Sequence, residues 1–299
     1  MTCRPFRFGV VAAFARSVDD WLARARRVEA LGYSTLVVPD GLRHTLAPWP
    51  ALTAAAAATR TLRLGTYVLD NDYRHPVLVA KDAASLDLLS DGRLELGIGA
   101  GRPSAAEDNH MLGLEFDSGA TRVARLAASI SVLKPLLNGE TVTSRGPYVT
   151  VENGEISPKP VQQPRPPLLI AGSGRQMLSL AAREADIVAI GLEPNADESA
   201  VAERIGWLRD AAGARIDQLE LNLNLMAVGD QVPRYVGSQL GFTAESLART
   251  GAVSAVVGSV DEMCNTLLER RERLGISYFM VGDELTEALA PVVERLSGR

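Results

Sequence analysis

Three histidines, His44, His75 and His110, are the whole supply of imidazole in this chain, and each falls in a loop after a candidate strand. Imidazole changes charge near neutrality, so three of them at one face of an α/β protein point to acid/base work. The plainer reading of each is structural, and His75, just before Pro76, suits a helix start. Asp40 stands at the end of another apolar run, where it accepts a hydrogen bond from a cofactor ring or hydroxyl, or else caps a helix. Tyr67 lies on a cofactor face or fills the core, and Trp49 is pocket wall or core. Arg102 and Glu107 are substrate-facing or form an exposed ion pair.

Two glycine-rich stretches add to this set. Gly97, Gly99 and Gly101 sit in a strand-like run, where glycine is unfavourable unless backbone must approach something closely. A flat ligand against the strand end is the preferred reason, and a tight barrel corner is the other. Gly172-Ser173-Gly174-Arg175-Gln176 runs from a strand into a helix, so the free N–H groups of the helix start make an anion site, with a phosphate as the expected occupant. Several chemistries are excluded. The chain has no Gly-x-x-x-x-Gly-Lys loop, no Gly-x-Ser-x-Gly elbow and no His-Glu-x-x-His helix. Gly97 to Gly101 imitates a dinucleotide fingerprint but places Arg102 where the third glycine belongs.

The elements that must hold these groups alternate between strand and helix. Leu62 to Leu69 reads as a strand, Pro76 opens a helix that runs to Leu89, and Arg93 to Gly99 reads as the next strand. A helical crossover makes the two strands parallel, so their C-terminal ends open on one side, where α/β proteins bind ligands. Strands are also expected at Phe6 to Phe14, Ser34 to Pro39, Leu168 to Ala171, Asp186 to Ile190, Leu219 to Val228 and Ile276 to Val281. With the helices between them they predict a (β/α)8 TIM barrel, one domain over 1–299. Residues 141–167 read as a hairpin insertion followed by a proline-rich connector, a polar loop follows Arg102, and Gln231 to Thr250 reads as loop with a short helix.

Composition narrows the function classes. A net charge of −5 gives no basic face to repay phosphate neutralisation, which argues against nucleic acid. The two cysteines, Cys3 and Cys264, make neither a disulfide framework nor a metal site. The longest nearly apolar run, Ala51 to Ala58, is too short to span a bilayer, and no leader is evident, so a cytoplasmic enzyme on a small-molecule substrate is expected.

Tyr67 to Pro76, Leu86 to Gly101, Val38-Pro39-Asp40, Arg122, Pro167 to Gly172 and Ala181 to Asp186 together resemble the luciferase-like monooxygenase superfamily, in its coenzyme F420-dependent branch. The resemblance implies a TIM barrel with an insertion and a deazaflavin or flavin ring at the C-terminal strand ends. It places a non-prolyl cis peptide at Tyr67–Val68, with Asp40, Tyr67, Val68, Asp70, Ala100, Gly101 and Arg102 about the ring. Ser173, Gly174, Arg175 and Gln176 would then meet the phosphate-bearing tail. Trp49, Glu107 and His110 face substrate, and His44, His75, Tyr67 or water supplies a proton. Many F420 enzymes have a His after the Asp matching Asp40, and sugar-phosphate dehydrogenases have a Glu matching Arg102. Gly41 and Arg102 depart from that pattern, which favours a reductase taking hydride from reduced F420 to a C=C or C=N bond. An FMN-dependent monooxygenase and a non-catalytic ligand-binding barrel are the alternatives. Relatives are often homodimers, and no interface is evident in the sequence.

Overall fold

A computed structural model describes residues 4–299. In chain order the elements begin with β1 (Arg7–Val11), α1 (Val18–Ala30), β2 (Thr35–Val38), α2 (Pro48–Ala58), β3 (Arg63–Thr66), β4 (Leu69–Asp70), α3 (Pro76–Leu89) and β5 (Leu94–Gly99). Next come α4 (Ala106–Met111), α5 (Gly119–Leu137), β6 (Val142–Arg145), β7 (Thr150–Gly154), β8 (Leu168–Gly172), α6 (Arg175–Glu184), β9 (Ile187–Ile190) and α7 (Glu198–Ala212). The chain continues through β10 (Glu220–Leu225), β11 (Ala227–Val228), α8 (Arg234–Ser238), α9 (Ala244–Arg249), β12 (Ala255–Val256), α10 (Val260–Leu274), β13 (Ile276–Gly282) and α11 (Thr286–Leu296).

The main sheet runs β3-β2-β1-β13-β10-β9-β8-β5-β4, and β3 also pairs with β5, which closes it. β3 and β4 are two halves of one interrupted strand, both parallel to β5, so the result is an eight-stranded (β/α)8 barrel. The strands are short, apolar and buried on both faces, as parallel strands covered by helices must be. Phe6, Phe8 and Phe279 stack with ring centroids 6.1–6.2 Å apart.

The chain packs into two compact units. One comprises Ala13–Ala23 and Val37–Ala171, the other the chain up to Ala12, Arg24–Leu36 and Gly172–Arg299. Two of the boundaries fall inside strands, between Leu36 and Val37 of β2 and between Ala171 and Gly172 of β8.

The first unit contains the interrupted strand. Thr66 ends β3 with its hydroxyl donating to the Gly97 carbonyl at 2.7 Å and accepting from the Gly97 N–H at 2.9 Å. A side chain thus takes over the ladder bonds where the strand breaks. The Tyr67–Val68 peptide that follows is cis, at the position indicated by the resemblance. A Cβ on Gly97 would collide with the Thr66 carbonyl, and one on Gly99 would lie 2.9 Å from Val68 Cγ2. These glycines therefore make room for the neighbouring strand, and the flat-ligand reading of Gly97 and Gly99 gives way to a strand-to-strand close approach.

The hairpin of β6 and β7 is antiparallel as its turn residues predict. The connector after it is held by Asp87 of α3, wholly buried, whose carboxylate accepts from the Val161 and Gln162 N–H groups and from Gln162 Nε2 at 2.7–2.9 Å. The polar loop expected after Arg102 instead forms a 3-10 turn and α4.

In the second unit, the ambiguous stretch 231–250 forms α8 and α9. Val236, Ala244 and Leu247 pack with Ala227, Ala252 and Ala255 beneath the small parallel pair of β11 and β12. Among the described residues no helix is long and apolar enough to cross a membrane. Replacing Gly97 by Ala should destabilise the protein by about 2–3 kcal/mol, because backbone rather than a mobile side chain occupies the space. Chemical denaturation measures this, and an unchanged midpoint would contradict the close approach.

Candidate functional site

The C-terminal ends of β2, β4 and β5 bring a set of charged residues together. Asp40, just past β2, is the hub. Its side chain is 3% exposed and takes a bidentate ion pair from Arg74, at 2.5 and 3.0 Å, as well as the Asp70 N–H at 3.0 Å. Its oxygens therefore serve first to tie β2 to the turn after β4. A guanidinium fork matches a carboxylate in both geometry and charge, and it offsets the cost of burying that carboxylate.

Asp70 ends β4, opposite Gly99 in register. Its Oδ1 accepts the Asp72 N–H at 3.0 Å and caps the 3-10 turn of Asn71–Tyr73. Burial, and the neighbouring charges of Asp72 and Asp40, lift its pKa to about 6, against the downward pull of the Asp72 N–H and of Arg122. Tyr73 lies in the same field. Burial, then Asp70, Asp108 and Asp40, raise its phenol further, so it stays a hydrogen-bond donor.

Helix α5 secures this floor from outside. Ser118 caps it by accepting from the Thr121 N–H. Arg122 and Arg125, three residues apart, then project from one face. Arg122 donates to the carbonyls of Ala100 at 2.9 Å and Asp117 at 2.5 Å and lies 3.9 Å above the Phe116 ring. Arg125 pairs with Asp72 at 2.9 Å and also with Asp117. Gly101, at φ 77°, turns the chain after β5, and a Cβ there would lie 2.8 Å from Asp70 Oδ2.

The outer rim joins the loop after β2 to α4. Asp108 accepts from the Leu42 N–H at 3.2 Å and pairs with Arg43, and Glu107 pairs with Arg43 as well. Of the two readings of Glu107, the exposed ion pair is the one observed, with Arg43 rather than Arg102 as its partner. Arg102 itself is exposed. Leu42, Met111, Leu112 and Leu114 leave apolar side chains exposed on the same two segments.

The three histidines lie in the segments that follow β2, β4 and β5. His75 is the N-cap of α3, its Nδ1 accepting the Val77 N–H at 3.3 Å, while His44 (φ 63°) and His110 are exposed. Tyr67 and Val68 are half-buried at the strand break. Trp49, at the start of α2, is half-buried, and its indole N–H is enclosed with no hydrogen-bond partner among the described residues. Ala100 is held through its carbonyl by Arg122. Asp72, Tyr73, Arg74, Asp108 and Arg125 were missed by motif reading. The available signal was the alternation of acid and base in Asp70-Asn71-Asp72-Tyr73-Arg74, followed by two arginines at helical spacing in α5. Despite the clustered carboxylates, no group of three or more His, Cys, Asp or Glu among the described residues is arranged to hold a metal ion.

The turn from β8 into α6 has a simpler construction. Ser173, Gly174, Arg175 and Gln176 are all exposed, and Gly174 is an N-cap with no side-chain hydrogen bond. Its chain neighbours aside, no atom of the described residues lies within 4 Å of where a Cβ on Gly174 would be. The first N–H groups of α6 are therefore open to an anion, and an exposed arginine, Arg175, is the first residue of that helix. Such a turn fits a phosphate-bearing group.

A family model described as luciferase-like monooxygenase matches residues 5–231. An F420-dependent glucose-6-phosphate dehydrogenase of Nakamurella multipartita is 31% identical over 231 residues, 74% of this chain and 67% of that protein. The enzyme of the same name from Beutenbergia cavernae is 35% identical over 175 residues, 56% of this chain and 51% of that protein. The chain thus spans between half and two thirds of the length of these curated relatives. Among solved structures, the coenzyme F420 dependent tetrahydromethanopterin reductase of Methanopyrus kandleri superposes over 98% of this chain and 100% of its own, with a TM-score of 0.76 at 18% identity. A riboflavin lyase with modified FMN superposes over 98% and 92%, at 0.78 and 16% identity. At such identities the agreement is one of fold.

Asp70 yields a stability prediction. Its folded-state pKa of about 6 exceeds the ordinary 3.8, so the native state binds the extra proton between those values. Wild-type stability therefore falls as pH rises from 4 through 6. Asp70→Asn retains the acceptor for Asp72 and has no such loss. Its advantage over wild type should grow from pH 4 to pH 8 by up to roughly 3 kcal/mol, at 1.36 kcal/mol per unit. Thermal unfolding across that range measures it, and parallel curves would rule out the shift.

Proposed function

The chain belongs to the luciferase-like monooxygenase family, and on that premise we propose that it is a coenzyme F420-dependent oxidoreductase. In this reading it is a reductase that takes hydride from reduced F420 to a C=C or C=N bond of a small molecule. The observation that carries the proposal is the 31% identity to an F420-dependent relative over 231 residues, a span equal to 74% of the chain.

Two stretches have chemistry that suits parts of the cofactor. Tyr67 and Val68 present half-buried backbone and side chain at a strand end, a seat for one face of a flat ring. The open N-terminus of α6, with Ser173, Gly174, Arg175 and Gln176, suits a phosphate. When bound, reduced F420 supplies the hydride. The protein's own part is to orient the reactants, exclude water and provide a proton.

The reductase direction rests on the departures of Gly41 and Arg102 from the relatives' pattern. Oxidising an alcohol needs a base at the hydroxyl. Yet Gly41 follows Asp40, His75 is committed to a helix cap, and His44 and His110 are exposed. A reduction needs only a proton donor. The exposed Leu42, Met111, Leu112 and Leu114 suit a substrate with apolar surface. We place the enzyme in the cytoplasm, as expected of a chain with this cofactor and no membrane-spanning helix among its described residues.

Fluorescence titration tests the cofactor. The protein should bind F420 more tightly than FMN, and the reverse order would favour the monooxygenase reading. Gly174→Asp should move two quantities in opposite directions. An Asp at the N-cap stabilises α6 by about 0.5–1 kcal/mol but sets a carboxylate against the phosphate. A higher melting temperature together with F420 affinity reduced by about tenfold or more, with a flatter salt dependence, is the expected result. Unchanged affinity would remove the phosphate from this turn.

A further inference from the structure

We propose that Asp70 is the proton donor of the site, delivering a proton from Oδ2 to the substrate atom that adjoins the carbon receiving hydride. This rests on the reductase reading above and assigns the one role that it leaves open.

Position comes first. Asp70 stands two residues past Val68, at the C-terminal end of a barrel strand, in register with Gly99. The residue is 8% exposed, so this is a carboxyl taken almost wholly out of water. Its two oxygens differ. Oδ1 is fixed by the Asp72 N–H at 3.0 Å. Oδ2 takes no hydrogen bond among the described residues, and it is not among their fully enclosed unbonded atoms. It lies beside the Cα of Gly101, where a Cβ would come within 2.8 Å. The left-handed turn at Gly101 leaves this oxygen uncovered on the side of the β5 loop.

The surroundings favour the protonated form. Asp40 at the end of β2 and Asp72 on the 3-10 turn both face Asp70 with negative charge, and the Tyr73 phenol lies in the same group. Arg122 of α5 is the cation acting on it, but its N–H groups are spent on the carbonyls of Ala100 and Asp117. Arg74 is held by Asp40, and Arg125 by Asp72 and Asp117. Asp70 is thus a buried acid among acids without a guanidinium of its own. The resulting pKa near 6 keeps a transferable proton close to neutrality. All three histidines are exposed, and His75 is also committed to a helix cap.

The step balances simply. Two electrons and one hydrogen arrive as hydride, from the reduced cofactor, at one atom of the C=C or C=N bond. The O–H bond of Asp70 breaks, its proton goes to the other atom, and its electron pair stays on the carboxylate. Water then reprotonates the carboxylate.

The test uses the full chain, as wild type, Asp70→Asn and Asp70→Glu. Carbon-13 spectra of labelled aspartate read the carboxyl directly. Cyclohex-2-enone, with reduced F420, is the probe acceptor. One carboxyl should titrate near pH 6, be missing in Asp70→Asn, and move upward when F420 fills the site. Asp70→Asn should bind F420 at least as tightly as wild type, because it needs no proton uptake on binding, yet oxidise it about 100-fold more slowly with the enone. It should also lose the fall in rate above pH 6, and Asp70→Glu should restore part of both. An Asp70 that titrates near its ordinary 3.8, or an Asp70→Asn enzyme with wild-type rate and pH profile, overturns the proposal. If the enone is inert with wild type, the carboxyl decides: a titration that shifts on F420 binding supports the assignment, and an unmoved one defeats it. Failure of the wild type to bind F420 overturns the cofactor reading and the proposal together, whereas binding with an unchanged Asp70→Asn profile sinks the proposal alone.

Discussion

The Thr66 hydroxyl, bonded to both the carbonyl and the N–H of Gly97, is the contact on which the rest of the site depends. Strands in a closed barrel cannot simply stop, because an unpaired backbone in the wall leaves polar groups unsatisfied. Here one side chain supplies the missing donor and acceptor, which allows β3 to end at Thr66 and β4 to resume at Leu69. The absence of a Cβ at Gly97 is the other half of the arrangement, since it admits the Thr66 backbone. Downstream of that break come the half-buried Tyr67 and Val68, then Asp70, then the turn that carries Tyr73 and Arg74, which Asp40 holds from the end of β2.

The charges around the break follow a consistent logic. Buried carboxylates are costly unless paired, and Asp40 and Asp72 each have an arginine to offset that cost. The partners come from different elements, Arg74 from the turn after β4 and Arg125 from α5, so each pair also fixes a loop. Asp70 lies between them without a cation of its own, and its raised pKa is the physical result. Replacing Arg74 would leave Asp40 buried without its guanidinium, and replacing Arg125 would do the same to Asp72. The set is therefore rigid in composition as well as in geometry.

Much of this was legible in the sequence. Periodicity and punctuation located the barrel strands, and Ser259 with Glu262 starts α10 in a capping box that Gly275 closes in the left-handed region. The anion-ready turn at Ser173 to Gln176 could be read because it depends only on a strand, two glycines and a helix start, all local. What could not be read was tertiary. Asp40 finds Arg74 34 residues away, and no local rule predicts that pairing. The glycines of β5 were noticed, but their reason was misjudged, because the atoms that fill their space belong to a different strand. Five of the six residues 106–111 are polar or small, a composition that reads as loop, yet they form α4, clasped to Arg43 through Glu107 and Asp108.

That clasp carries a consequence for how such a protein diversifies. The loop after β2 and helix α4 are joined by Asp108 and Arg43 through side chains, and no ladder of strand pairing runs between them. Residues 41–46 and 103–114 can therefore change in length or character without disturbing the register of the wall. Selection for a new substrate has a region in which to explore, while the machinery beneath remains under separate constraint. Libraries confined to those two segments would follow the same division of labour.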